Sequence, residues 1–226
     1  MSDIIREVDE ELRRERFEKL WQHYGGYIVG AALLIVLAVA GWRAWDWYET
    51  RAAAKSGARF EAALQLLNEG KRFEAEAAFN AIAKEGTAGY RLLARFRAAA
   101  EAAKTDPAAG VIAYEALAAD SSVDPALREL AKLHTGLILV DTAPASEIAA
   151  RLEPLTAPQA PFRHSAREVL GLAHYRAGDR AKAQKIFTEI AADPETPAAM
   201  RKRAEIMRTL VSSVGGAPAA SAPATQ

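Results

Sequence analysis

The sequence predicts an all-α protein: an N-terminal helix, a single membrane-crossing helix, then a solenoid of about four helix pairs plus a C-terminal capping helix. Three observations carry this prediction. A long uncharged apolar run near the N-terminus is bracketed by aromatic residues. Beyond Arg51 the chain is alanine-rich, with apolar residues three and four apart and almost no β-branched alternation. Within that region a pattern of small and large residues around glycines recurs at a period of about 35 residues.

Residues 1–23 form the first element. The stretch DIIREVDEELRRERFEKLWQHY lacks Gly and Pro and reads as a charged helix leading into the span. Its acidic excess makes it a poor ligand for an anionic membrane surface, so it is read as a solvated helix, with a partner contact as the alternative.

Residues 24–47 form the second. At a helical rise of about 1.5 Å per residue, the run from Tyr24 to Trp42 covers roughly 28 Å, the thickness of a bilayer's hydrocarbon core. Trp21, Tyr24 and Tyr27 stand at one end and Trp42, Trp45, Trp47 and Tyr48 at the other, as interfacial belts do, and the chain's four tryptophans are all among them. A signal peptide is the rival reading, because Ala38-Val39-Ala40 supplies a small-x-small cleavage pattern. The acidic leader, the length of the apolar run and the Trp-rich far flank favour an uncleaved anchor built on Tyr24, Gly26, Gly30, Trp42, Arg43 and Trp45. Gly26 and Gly30 form a GxxxG pair that permits close helix approach, hence a possible homo-oligomer or larger complex. Arg43 can extend its guanidinium to the headgroups. Orientation is undecided by charge: Arg6, Arg13, Arg14, Arg16 and Lys19 precede the span, and Arg43, Arg51, Lys55 and Arg59 follow it.

Residues 48–213 form the helical repeat domain. Gly70 and Gly178 fall where helices need left-handed caps, and Asp106-Pro107, Asp124-Pro125 and Thr196-Pro197 each place a capping side chain before a proline suited to a first helical turn; Asp179 follows Gly178 in the same role. In NEGKRFEAEAAFNAI and RAGDRAKAQKIFTEI, Gly70 aligns with Gly178, Ala75 with Ala183, Phe79 with Phe187 and Ile82 with Ile190. A weaker copy uses Gly110, Tyr114 and Leu117, and a degenerate one Gly136, Leu152 and Leu155. The registers start near residues 56, 91, 129 and 164, with a closing helix from about 198. Small residues at Ala75, Gly110, Gly136, Gly171 and Ala183 let antiparallel helices approach, and Phe79, Tyr114 and Phe187 fill the space one turn on. The closing helix places Met200, Ala204, Met207, Leu210, Val211 and Val214 on its inner face, and residues 214–226, GGAPAASAPATQ with the preceding valine, read as a disordered tail.

Leu170-Gly171, Gly178, Ala183, Phe187 and Pro194 give the best copy, which resembles the tetratricopeptide repeat. That resemblance implies a concave face made by the first helix of each pair, here Phe60, Leu64, Leu67, Leu133, Leu137, Val140, Leu172 and Tyr175. Two readings of these residues stand: packing between repeats, or a groove for extended or unfolded apolar polypeptide.

Composition narrows the function. Acids and bases are equal at 29 each and interleaved, which gives no electrostatic footprint for nucleic acid. The absence of cysteine excludes disulfides, thiolate metal sites and a thiol nucleophile. His23, His134, His164 and His174 show no metal-binding spacing, and neither a phosphate-binding glycine loop nor a nucleophile elbow occurs, so no catalytic residue, metal site or cofactor is expected and the protein is read as non-enzymatic.

The leader, the span ending in Gly41-Trp42-Arg43-x-Trp45, the repeat region with Gly89-Tyr90 and the closing helix with Met200 and Met207 together resemble the YfgM family, from about residue 15 to 211. The resemblance implies an ancillary subunit of the SecYEG translocon in the bacterial inner membrane. It would have its N-terminus in the cytoplasm, its repeat domain in the periplasm, and secretory polypeptides and periplasmic chaperones as partners. The alternative is a membrane-anchored scaffold or regulator of an envelope complex or a stress-signalling protein.

Overall fold

In the computed structural model, backbone is described for residues 2–214 and side chains for Trp21 and from Tyr24 to Ser213, Ile28 excepted. The leader's side chains up to residue 20, and the tail from residue 215, lie outside the described residues. No strand occurs among the described residues. The chain divides into two compact units, Met1–Lys55 and Ser56–Gln226.

Helix α1 (Ser2–Asn68) contributes to both. Its portion in the first unit contains one stretch apolar and long enough to cross a membrane, and only 6% of that window is buried. Leu33, Leu34, Val36 and Leu37 are all exposed, as are Tyr24 and Trp45, and Trp42 is 78% exposed. Gly26 and Gly30 have open space around them. Beyond the span Arg51 lies over the Trp47 ring at 4.2 Å, a cation–π contact.

The second unit is a run of helix pairs. The end of α1 pairs with α2 (Arg72–Glu85), α3 (Ala88–Thr105) with α4 (Pro107–Ala119), α5 (Pro125–Leu139) with α6 (Ala145–Leu152), and α7 (Arg163–Arg176) with α8 (Arg180–Ala192); α9 (Ala198–Val214) closes the series. The expected punctuation is visible. Gly70 and Gly178 take φ of +77° and +79°, the left-handed conformation that a side chain disfavours. Asp106 and Asp124 accept hydrogen bonds from the backbone N–H of Ala108 and Ala126, and Asp179 accepts from that of Lys182.

Thr196 departs from this pattern. Its buried hydroxyl is paired with Nδ1 of His164 at 3.1 Å. The loop it belongs to is further held by Arg201, which donates to the carbonyls of Asp193, Pro194 and Thr196. Pro194 thus ends a helix and starts a latched turn. α6 is shorter than the other second helices because Pro154 cannot donate into its hydrogen-bond ladder, and the chain continues as a 3-10 turn over Glu153–Thr156.

Close approach occurs where the small residues predicted it. A β-carbon built on Gly110 would lie 2.6 Å from Cα of Ala103, one on Gly136 2.6 Å from Cδ1 of Leu152, and one on Gly171 2.8 Å from Cζ of Phe187. Ala75 and Ala183 are fully buried, with Phe79 and Phe187 beside them in their clusters. Each apolar cluster bridges neighbours in the chain: Ala63, Phe79 and Ala94 join α1, α2 and α3, Ala99, Tyr114 and Ala131 join α3, α4 and α5, Leu133, Ile148 and Val169 join α5, α6 and α7, and Phe187 and Val211 join α8 and α9. On α9, Ala204 and Val211 are buried, but Leu210 is 40% exposed, which corrects its expected inward placement. At 100° per residue Leu210 shares a face with exposed Ile206. The side chain of Val214 lies outside the described residues.

Candidate binding groove

The first helices of three consecutive pairs line a groove of about 620 Å³. The end of α1 supplies Phe60; α3 supplies Leu92, Leu93, Phe96 and Arg97; α5 supplies Leu127, Leu130 and His134. Tyr114 reaches in from α4. The spacing 92, 96, 100 on α3 and 127, 130, 134 on α5 repeats every three or four residues, which turns one stripe of each helix to the same side.

Aromatic rings organise the floor. Tyr114 and His134 stack with centroids 4.8 Å apart and planes 6° from parallel, and Phe96 meets Tyr114 edge-on at 6.0 Å. At the other end Phe60 packs against Phe79 at 5.2 Å and Tyr90 at 5.9 Å. The Tyr114 hydroxyl donates to the carbonyl of Phe96.

A comparison with known families matches the chain to the tetratricopeptide repeat-like domain over residues 18–206. The chain belongs to that family. No curated protein and no solved structure matches it. Tetratricopeptide repeat-like domains are typically protein-interaction modules, and here the first helices of three pairs line the groove.

The eight residues read as the concave face separate in the structure. Phe60 lines the groove, while Leu64 and Leu67 pack onto the Ala75–Phe79 cluster. Leu133, only 5% exposed, and Val140 belong with Ile148 and Leu152, on the side of α5 turned to α6. Leu137 is 47% exposed and continues the stripe of Leu130 and His134. Leu172 and Tyr175 pack against Phe187 and the closing helix. On α5 the open face is therefore set one residue away from Leu133. The residues of α3 were absent from the expected set, although Leu92, Phe96 and Ala100 in GYRLLARFRAAAEAAKT already show the spacing.

Burial pushes the His134 imidazole below its usual value of 6.5. Burial and then the neighbouring Arg163 do the same to His164, against the opposing pull of Asp193. In each case the unfolded chain binds the proton more readily than the folded one. Their contribution is intact above 6.5 and is lost as pH falls below that value through the lowered folded one. The melting temperature of the full chain in detergent should fall as pH is lowered from about 7.5 to about 5.5, and His134→Phe, which keeps a ring against Tyr114, should flatten part of that slope. Circular dichroism melts check both.

Proposed function

We propose that this protein is a non-enzymatic, membrane-anchored interaction module, ancillary to the SecYEG translocon, whose groove receives polypeptide segments and passes them to periplasmic chaperones. The observation that carries the anchor is the exposure of the apolar α1 stretch. A core helix of a soluble protein would have most of that surface covered, and here 6% of the window is buried. The aromatic belts around Trp21 and Trp42, with Gly41-Trp42-Arg43-x-Trp45 and the repeat region, support the translocon reading through their resemblance to the YfgM family. That resemblance also favours a cytoplasmic N-terminus and a periplasmic repeat unit. Tethering then raises the local concentration of a weak site near emerging chains without any energy source.

The lack of cysteine makes the topology directly testable. In cells, Ser221→Cys should react with a membrane-impermeant maleimide added to the periplasm, and Ser2→Cys should react only after the inner membrane is opened. Alkaline extraction should leave the intact chain in the membrane pellet. An intact mass beginning after Ala40 would instead identify a cleaved signal. A photo-cross-linker at Leu93 or Leu130 should trap translocon subunits, secretory chains or periplasmic chaperones, and capture of cytoplasmic proteins alone would overturn the assignment.

A further inference from the structure

The groove has uneven chemistry. Its walls are aliphatic and aromatic, and Arg97 is the single Lys, Arg, Asp or Glu among the described residues that line it. Among the described residues no carboxylate pairs with Arg97. Glu101, one turn on, is buried and held by Lys104 at 2.6 Å, and Arg95 is paired with Asp120 at 2.7 Å. A guanidinium beside a low-dielectric wall, without a counter-ion among the described residues, selects for negative charge in whatever enters.

Position adds a spacing. Leu93, 53% exposed, and Arg97 are four residues apart on α3, which places their β-carbons about 5–6 Å apart on one face. In an extended peptide, side chains two residues apart lie on one face about 7 Å apart. We propose that the groove takes a segment of a partner polypeptide in which a large apolar residue is followed two positions later by Asp or Glu. The apolar side chain enters between Leu93, Phe96 and Leu130, and the carboxylate accepts from Arg97. This specificity rests on the interaction-module reading above.

The test uses the full chain in nanodiscs and twelve-residue fluorescent peptides, otherwise polar, carrying Phe-Ser-Asp, Phe-Ser-Lys or Ala-Ser-Asp. Anisotropy should show Phe-Ser-Asp binding about five- to tenfold more tightly than either of the others. Arg97→Gln should abolish the preference for Asp over Lys, and Arg97→Glu should invert it; Arg97 is exposed, so both variants retain the fold. Equal binding of the Asp and Lys peptides to the unaltered protein overturns the charge selectivity and leaves the groove as a general apolar site. Binding of none of the three overturns the specificity and the peptide-binding reading together.

Discussion

Phe187→Ala should lower the stability of the repeat unit by about 3–5 kcal/mol, the range for removing a fully buried aromatic ring. Phe187 has no exposed surface and sits with Ala183, Ile190 and Val211 in the cluster that joins α8 to α9. Its ring edge also lies against Gly171, where even a β-carbon would come within 2.8 Å, so the position is tightly packed before truncation. The hole left behind cannot close without moving α7 or α9, and α9 is fixed by the two hydrogen bonds of Arg203 to Glu168 and by the Arg201 latch. Denaturant titration of the full chain in detergent measures the loss. A change below about 1 kcal/mol would show that α9 collapses onto α7 instead.

Gly110→Ala tests the opposite error, too much volume. Helix propensity alone favours alanine over glycine by about 1 kcal/mol in a helix interior. The structure reverses that sign. The new β-carbon would lie 2.6 Å from Cα of Ala103, and that neighbour is backbone, which cannot rotate away. α3 and α4 must separate, disturbing Ala99, Tyr114 and Leu117 in the adjoining cluster and, through Tyr114, the groove floor. A net destabilisation of about 2–3 kcal/mol is expected, together with weaker peptide binding. Ala103→Gly in the same chain should restore only part of the loss, because the contact with Cα remains.

Much of the fold was legible in the sequence because its determinants are local. Left-handed glycines, Asp-Pro caps and the small–large alternation act within a few residues of themselves, so Gly70, Asp106, Asp124 and Phe187 stand as their positions predicted. The groove was less legible because its face depends on how neighbouring pairs rotate. Leu133 and Leu137 are equally apolar in sequence, and only docking against Ile148 and Leu152 decides that Leu133 turns inward. The α3 face is hard to read for a related reason: its repeat copy is the weaker one, so register alone singles out none of its residues. Thr196 reads as a cap until the fold brings His164, thirty-two residues earlier, to its hydroxyl.

The clusters that each join a helix to its chain neighbours also bear on how the repeat unit is made. Among the described residues no helix of the repeat unit waits for a distant segment to supply its partner surface, since α2 finds the end of α1, α4 finds α3, and α8 finds α7 just before it. Loop closure in such a chain is short-range, and topologies of this kind cross the folding barrier quickly. The unit is therefore suited to vectorial assembly, each pair settling on the last as residues arrive. The slowest structure to mature should be the final turn, where α9 must arrive before Phe187 and Ile190 leave solvent.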